Sequence, residues 1–471
     1  MNYKRPSRRQ FLAAATSFGF VPGSFGERVR ATEVTASPGR RFSPIRVRKV
    51  ESNFEREALR RPLGFKGGYM TEKWQVASLL ESDSGRRGLG LCSQSVLWSD
   101  PRVFASYSEA AGNALMYAML DEALQRVRGQ EFSDPIELME EVLPGTLEYG
   151  RRVTGKRDLR ETFALMALVS LDNAAWLLFS AENGIDCFDD MIPANYRRFF
   201  THRHKQVASV PLISYSVPLG QVKKLVTDGY FFLKIKIGQP GTQQEMLKKD
   251  KERLRRIHGA IGAVENPHTQ DGKPLYYLDA NGRYEKKFLL LNLLDYARQI
   301  GALDQIAVIE EPFPEANKED VSDLEFLIAA DESAHTDRSA RDRIQMGYSA
   351  LAIKGAAKTL SMTLKILGVA DEYGIPCFCA DSAAIPILVD WNKNLAARLA
   401  PLPGLSVGLL ESNGHQNYAR WEELVDYHPC AGASWTLPVD GMFCLDDDFY
   451  ARSGGIYIPS EHYMSLFKHQ E

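Results

Sequence analysis

The stretch FFLKIKI, residues 231–237, is an apolar run that predicts a buried strand and carries two lysines near its end. Four later apolar runs also end in charged residues. The five charged segments are, in chain order, Lys234-Ile-Lys236, Asp279-Ala-Asn281, Glu310-Glu311-Pro312, Asp331-Glu332-Ser333 and Lys354. The steps from Lys236 to Asp279, Glu310, Asp331 and Lys354 are 43, 31, 21 and 23 residues. Each step is long enough for one helix and the next parallel strand.

Charged side chains at the ends of successive parallel strands are typical of a barrel of alternating strands and helices, whose site lies at the carboxyl ends of the strands. The alternation of strands and helices extends over residues 206–429. It includes predicted strands at 211–217, 376–380 and 405–410, which brings the total to seven or eight. That number favours a closed barrel. We therefore predict an α/β fold with a TIM-type barrel as its larger domain.

The residues before the barrel, 45–205, predict a separate α+β domain, because strands come first and helices follow. Strands are expected at 45–53 and 74–81, separated by a glycine-rich loop, 60–70, that suits a lid over a site. Helices are expected at 108–128, 135–149 and 159–180. The last helix is apolar nearly all round, so we expect it to be buried.

Composition excludes several classes of protein. The chain has 471 residues, of which 44% are hydrophobic and 25% charged, with a formal net charge of −3. These values fit a soluble two-domain protein and give no sign of a nucleic-acid partner, which would favour a basic domain or stripe. The six cysteines lack the paired spacing of a metal site, and we expect them to be structural thiols.

The N-terminus predicts export. Arg8 and Arg9 precede a modest apolar stretch, 11–25, that is too short to span a membrane. Twin arginines in this position indicate a Tat signal peptide, with cleavage after Ala36. We therefore predict a signal peptide over 1–36, a linker over 37–44, and a mature protein without a membrane span in the periplasm or beyond it.

The five charged segments together resemble those of the enolase superfamily, specifically its mandelate racemase/muconate lactonizing branch. The stretch SLDNAAW, residues 170–176, resembles the helix that precedes the barrel in that branch, although the usual final Asp is missing. The resemblance covers residues 45–430. It implies a modified (β/α) barrel whose mouth is closed by an α+β capping domain, with the C-terminal segment 430–471 returning to that domain.

The resemblance also implies roles for the strand-end residues. Asp279, Glu310 and Asp331 would bind Mg2+, Lys236 would be one base beside Lys234, and Lys354 would face Lys236 across the barrel. Glu310 is preferred to Glu311 because alternate residues of a strand share a face, and Glu310 lies on the face of Ile306 and Val308. Weaker candidates for substrate contact are Phe65, Lys66, Tyr69, Asn281, His335, Asp381, Glu411 and His415.

These residue types suit removal of a proton next to a carboxylate. Three oxygen ligands match Mg2+, which stabilises the negative charge that develops on the substrate. We expect burial and neighbouring cations to lower the pKa of a lysine base. A lysine base with Mg2+ is the general pattern of this superfamily.

Two opposed lysines favour racemisation or epimerisation of a small carboxylate such as an amino-acid derivative or a dipeptide. A lyase or a cycloisomerase would use the same half-reaction. Strand seven has no histidine, which disfavours sugar-acid dehydration, and the last strand lacks the Asp-x-Asp pair of dipeptide epimerases. Two further alternatives are an exported, non-catalytic carboxylate-binding protein and a metal-independent barrel. Barrels of this type commonly form homo-oligomers.

Overall fold

The computed structural model describes residues 42–468. The predicted signal peptide, 1–36, lies outside these residues, and export remains a prediction. The described chain forms one antiparallel sheet with its helices and one barrel.

The first sheet has four antiparallel strands in the order β3-β2-β1-β4. The strands are β1 (Ile45–Phe65), β2 (Gly68–Ser82), β3 (Arg87–Ser93) and β4 (Glu131–Phe132).

The glycine-rich segment 60–70 is not the loop that the sequence predicted. It is the tip of the β1–β2 hairpin, in which Phe65 pairs with Gly68 and only Lys66 and Gly67 form the turn. Both turn residues have positive φ, 51° and 76°. A register shift between Ala58 and Leu63 accommodates the proline at position 62, so the strand pairing resumes beyond it.

The helices of this domain pack on the sheet. The longest, α5, has 18 of its residues buried, and it is the one helix in the described part of the chain long and apolar enough to cross a membrane. Its apolar surface is buried inside the protein, as its composition predicted. The helices are α1 (Val96–Ser99), α2 (Pro101–Ser106), α3 (Glu109–Val127), α4 (Pro135–Thr154), α5 (Glu161–Asn183), α6 (Phe188–Met191) and α7 (Ala194–Arg197).

The second sheet is the barrel. Its strand order is β14-β5-β13-β12-β11-β10-β9-β8-β7-β6. Strands β5 and β6 are separated only by Pro211; β5 pairs with β13 and β6 with β7, so the two together close a ring of eight parallel strands. The strands are β5 (Gln206–Val210), β6 (Leu212–Ile213), β7 (Phe232–Lys236), β8 (Leu275–Asp279), β9 (Ile306–Glu310), β10 (Leu327–Ala330), β11 (Ala350–Ile353), β12 (Cys377–Cys379), β13 (Gly408–Glu411) and β14 (Met442–Cys444).

The predicted TIM-type barrel with an additional α+β domain is thus confirmed. The predicted first strand, 211–217, was placed too late, because the proline that looked like a strand start interrupts the strand instead.

The remaining helices are α8 (Leu219–Thr227), α9 (Gln243–Ile261), α10 (Lys287–Gln299), α11 (Asp337–Gln345), α12 (Gly355–Lys358), α13 (Leu360–Tyr373), α14 (Pro386–Ala396), α15 (Gly414–Asn417), α16 (Trp421–Asp426), α17 (Asp447–Arg452) and α18 (Glu461–Ser465).

The stretch 170–176 of helix α5 joins the capping domain to the barrel. Asp172 accepts hydrogen bonds from the backbone N–H groups of Leu360 (2.7 Å) and Ser361 (3.2 Å), which satisfies the first turn of helix α13. Trp176 Nε1 donates to Ser361 Oγ at 3.0 Å. The residues that resemble a family motif are therefore structural.

The C-terminal segment reaches the first sheet, where His462 Nε2 lies 2.8 Å from Glu55 Oε2. Asn53 Nδ2 donates to the carbonyl of Leu466 at 2.9 Å. All six cysteines lie within the described residues and are free thiols, as predicted.

Candidate active site

The five charged segments meet at the carboxyl ends of consecutive barrel strands. With β5 and β6 counted as the first strand, Lys236 lies on the second strand and Lys354 directly follows the sixth. They are four strands apart in a ring of eight, so they lie on opposite sides of the mouth. The carboxylates of Asp279, Glu310 and Asp331 come from the strands between them, and all three residues are 0% exposed.

Lys234 is a cation shared by three carboxylates. Its Nζ lies 3.0 Å from Asp279 Oδ2, 3.0 Å from Glu310 Oε2 and 2.9 Å from Glu411 Oε2. Burial alone would lower the pKa of Lys234, but these carboxylates raise it well above its usual value. Lys234 is therefore a fixed positive charge in the structure rather than a base.

Lys236 and Asn281 hold the carboxylate of Asp279. Lys236 Nζ forms an ion pair with Asp279 Oδ2 and donates to Asn281 Oδ1 at 2.8 Å. The Asn281 backbone N–H donates to Asp279 Oδ1 at 2.9 Å. Although burial would raise the pKa of Asp279, Lys234 and Lys236 lower it to about 2, so this group is an anion at neutral pH.

Neighbouring Glu310 and Glu311 have different contacts, and which of them binds Mg2+ stays a prediction. Glu310 contacts Lys234, and burial and the charge of Asp331 raise its pKa to about 8. Glu311 Oε2 instead accepts hydrogen bonds from the backbone N–H groups of Asp331 (2.8 Å) and Ser333 (3.3 Å). Burial and the charge of Glu332 raise the pKa of Glu311 to about 7.

Asp331 and Lys354 form an ion pair on the opposite side of the mouth from Lys236. Lys358 Nζ forms a second ion pair with Asp331, at 3.1 Å from Oδ1, and Trp98 Nε1 donates a hydrogen bond to Asp331 Oδ2 at 3.2 Å. Burial alone would lower the pKa of Lys354, but the charge of Asp331 raises it above its usual value. Burial alone would raise the pKa of Asp331, but the charge of Lys354 lowers it. Lys354 is thus a cation in the structure, because a carboxylate is its direct neighbour.

Three buried carboxylates are close enough together to hold a cation. One oxygen each from Glu310, Asp331 and Glu332 lie within 4.8 Å of one another, and all three residues are buried. Glu332 Oε2 has no hydrogen-bond partner within residues 42–468, whereas Glu332 Oε1 is bound by Lys66 and Asn281. Buried oxygen ligands suit Mg2+. Of the predicted Mg2+ ligands, Glu310 and Asp331 belong to this group. Asp279 does not belong to it, but Asp279 and Glu310 both contact the ammonium of Lys234.

The hairpin tip covers the mouth. The Lys236 ammonium lies 5.3 Å from the ring centre of Phe65, and Lys66 Nζ donates to the carbonyl of Trp98 at 2.8 Å. Lys66 also lies 3.3 Å from Glu332 Oε1. Tyr69, by contrast, is 47% exposed and packs edge-on against Tyr215, so it does not join the other site residues.

The remaining candidates lie on or beyond strands five, seven and eight. Glu411 contacts Lys234 and accepts the N–H of Asp381 at 3.0 Å. Burial and the charge of Glu411 raise the pKa of Asp381 to about 6. His335 Nε2 lies 3.0 Å from Glu161 Oε2, whereas His415 is stacked on Tyr230 away from the mouth.

Three site residues were missed by reasoning from the sequence. They are Trp98, Glu332 as a member of the carboxylate group, and Lys358. Glu332 and Lys358 lie within four residues of predicted site residues and were within reach of a search around the strand ends. Trp98 belongs to the other domain, and nothing in its local sequence marks it.

The structure resembles solved structures of racemases and epimerases at low sequence identity. A mandelate racemase/muconate lactonizing protein from Herpetosiphon aurantiacus is 17% identical, with a TM-score of 0.61, over 86% of this chain and 97% of that one. A dipeptide epimerase from Cytophaga hutchinsonii, complexed with Mg and D-Ala-L-Val, is 15% identical, with a TM-score of 0.58 over 79% and 88%. The N-succinyl Arg/Lys racemase from Bacillus cereus is 16% identical, with a TM-score of 0.56 over 79% and 89%.

No protein-family model matches the chain, and no curated protein matches it in sequence. The fold is the one seen in a mandelate racemase/muconate lactonizing protein and in the L-Ala-D/L-Glu epimerase from Bacillus subtilis. The structural neighbours of that fold include racemases and epimerases.

Proposed function

We propose that this protein is a Mg2+-dependent enzyme that removes and returns the proton next to a substrate carboxylate, and thereby racemises or epimerises a small carboxylate. The observation that carries the proposal is the placement of Lys236 and Lys354 on opposite sides of a buried carboxylate cluster. A substrate between them would lose its α-proton to one lysine, and the planar intermediate that results would take up a proton from the other lysine on its opposite face. A binding protein has no need for this arrangement.

Asp279, Glu310 and Asp331 are the proposed ligands of Mg2+. The registers of β7, β8 and β9 place Lys236, Asp279 and Glu310 side by side, and the Lys234 ammonium lies 3.0 Å from both carboxylates. When bound, Mg2+ would hold the substrate carboxylate and stabilise the charge that develops during proton removal. Glu332 accepts hydrogen bonds from Lys66 (3.3 Å) and Asn281 (2.8 Å). It would therefore hold the hairpin tip over the mouth rather than bind Mg2+.

The lysines would act as bases once their carboxylate partners are engaged elsewhere. Asp331 raises the pKa of Lys354 in the structure, and a divalent cation on Asp331 would oppose that effect. Lys234 would remain a cation beside Lys236. The hairpin tip, with Phe65 against Lys236, would exclude water from the reacting atoms.

The proposal is tested by exchange of the substrate α-proton in D2O, followed by mass spectrometry with and without Mg2+. The compounds would be dipeptides, N-acyl amino acids, hydroxy acids and sugar acids. We expect Mg2+-dependent exchange on one class, lost for one enantiomer in Lys236→Ala and retained for both enantiomers in Lys224→Ala, which changes an exposed helix lysine. Exchange of both enantiomers that is equal in wild type and Lys236→Ala would contradict the proposal. Product analysis separates isomerisation from elimination or cycloisomerisation.

A further inference from the structure

An aromatic ring of the capping domain lies against each of the two opposed lysines. The Lys354 ammonium is 4.6 Å from the centre of the Trp98 ring, and the Lys236 ammonium is 5.3 Å from the centre of the Phe65 ring. Both aromatic residues are buried. The face of an aromatic ring attracts a cation within about 6 Å, and tryptophan does so most strongly. The capping domain therefore contacts both proposed bases, although neither base belongs to it.

Trp98 is fixed through its side chain and through its backbone. Its Nε1 donates to Asp331 Oδ2 at 3.2 Å, the oxygen that also forms the ion pair with Lys354. Its carbonyl accepts a hydrogen bond from Lys66 Nζ at 2.8 Å. Because Lys66 directly follows Phe65, this hydrogen bond joins the two segments that carry the rings. The hairpin tip and helix α1 thus place their rings as one unit.

The third lysine of the mouth, Lys234, is held differently. Its ring contact is with Tyr277, at 4.7 Å, and Tyr277 belongs to strand β8 of the barrel. Three carboxylates lie 2.9–3.0 Å from the Lys234 ammonium, whereas among residues 42–468 Lys236 and Lys354 each form an ion pair with one. The lysine that stays a fixed cation is thus secured by the barrel, and the two proposed bases are the ones that the capping domain touches.

The Trp98 ring matters because the carboxylate partner of Lys354 has a second task. A base must lie within about 3 Å of the atom that carries the proton, and a lysine side chain loses rotamer entropy when it is held in one place. Lys354 is held by its ion pair with Asp331, which is a proposed ligand of Mg2+. A carboxylate whose charge is shared with a metal attracts an ammonium less strongly. Trp98 then supplies part of the attraction that the carboxylate gives up.

The same argument applies more weakly to Lys236. Its ion pair is with Asp279, another proposed ligand, but it also donates a hydrogen bond to Asn281 Oδ1 at 2.8 Å. The Phe65 ring is farther from its lysine than the indole is from Lys354, and a phenyl ring attracts a cation less than an indole does. We therefore expect Lys354 to depend more on its ring than Lys236 does.

We propose that Trp98 is a positioning residue for Lys354. Phe65 has the same role for Lys236, so that the capping domain completes both bases when its hairpin tip covers the mouth. The proposal rests on the proposed function, because it takes the two lysines as the bases. Each ring would act on one lysine, and therefore on one direction of proton transfer. A residue that only supports the fold would act on both directions alike.

The test measures α-proton exchange of each enantiomer of one substrate in D2O. We expect Trp98→Leu to lower kcat about tenfold for the enantiomer that depends on Lys354, and less than about threefold for the other. Phe65→Leu should do the reverse, with a smaller loss. Trp98→Phe, which keeps a ring, should recover most of the loss. Equal losses for both enantiomers in Trp98→Leu would overturn the proposal.

The matched control is Trp74→Leu. It removes another buried tryptophan of the same domain, one that is stacked on Phe54 rather than on a lysine of the mouth. We expect any loss of exchange in this variant to be the same for both enantiomers. Thermal unfolding checks that all the variants are folded.

Reductive methylation with formaldehyde keeps this proposal separate from the proposed function, because it needs no substrate. Mass spectrometry gives the rate of methylation at each lysine of the folded protein. Trp98→Leu should raise the rate at Lys354 relative to Lys236 by at least about threefold, and Phe65→Leu should shift the ratio the other way. If these shifts occur and no compound shows exchange, the proposed function alone fails. An unchanged ratio in both variants would overturn the positioning roles.

Discussion

The carboxylate of Glu311 accepts the backbone N–H of Asp331 at 2.8 Å, so one glutamate of the Glu310-Glu311 pair builds the turn that positions Asp331. Glu311 has a positive φ of 41°, which turns its side chain away from Glu310 and toward the next strand. Two adjacent acidic residues therefore serve the site in different ways.

Glu310→Gln and Glu311→Gln should separate these roles. We expect Glu310→Gln to weaken Mg2+ binding by at least about 100-fold, because it removes a ligand, and Glu311→Gln by about tenfold, the usual effect of a residue that supports a ligand. Calorimetric titration with Mg2+ measures both. The opposite ranking would show that Glu311 is the ligand.

Asp279→Asn and Glu332→Gln decide the third ligand. We expect Asp279→Asn to lose at least about 100-fold in Mg2+ affinity and Glu332→Gln less than about tenfold. The reason is that Glu332 is bound to Lys66 and Asn281, whereas Asp279 and Glu310 share one cation. If Glu332→Gln abolishes Mg2+ binding and Asp279→Asn does not, the ligands are Glu310, Asp331 and Glu332.

Lys66→Met should loosen the hairpin tip over the mouth. It removes an ion pair with Glu332 and a 2.8 Å hydrogen bond to the carbonyl of Trp98, both buried. We expect amide hydrogen exchange of residues 63–70 to rise by about tenfold or more.

The matched control is Arg56→Met, which removes the exposed ion pair to Glu72 in the same hairpin. Exposed ion pairs contribute little, so its effect on exchange should be less than about threefold. Equal effects of the two variants on amide exchange would mean that Lys66 does not hold the hairpin tip over the mouth.

Asp172 should make stability depend on pH. Burial raises its pKa from 3.8 to about 7, so between these values the folded state holds a proton that the unfolded chain has released. Its contribution is therefore fully present below pH 3.8 and is lost as the pH rises through about 7. In urea unfolding, wild type should lose stability relative to Asp172→Asn between about pH 4 and about pH 8. A difference that does not change with pH would contradict this.

The barrel and its strand-end residues could be predicted because each strand is a local apolar run followed by its charged residue. FFLKIKI and the strand that ends at Glu310 need no information from distant parts of the chain. The different contacts of Glu311 depend on its positive φ beyond the end of β9, which the sequence does not show.

Contacts between domains could not be predicted in this way. Lys73 looks like an ordinary residue of a half-exposed strand, and only the folded structure shows it buried against Ser382. The raised pKa of Lys354 likewise depends on its distance from Asp331, which the sequence does not contain. The hairpin was missed because Pro62 and the glycines predict a loop, while the bulge that accommodates them depends on pairing with β2.

The most direct test of the two opposed lysines is the exchange of each enantiomer of one substrate in D2O with single lysine variants. We expect Lys236→Ala to abolish exchange of one enantiomer and Lys354→Ala that of the other, each by at least about 100-fold, while both variants remain folded and bind Mg2+. Loss of exchange for both enantiomers only in Lys236→Ala, with Lys354→Ala unaffected, would contradict the two-base account.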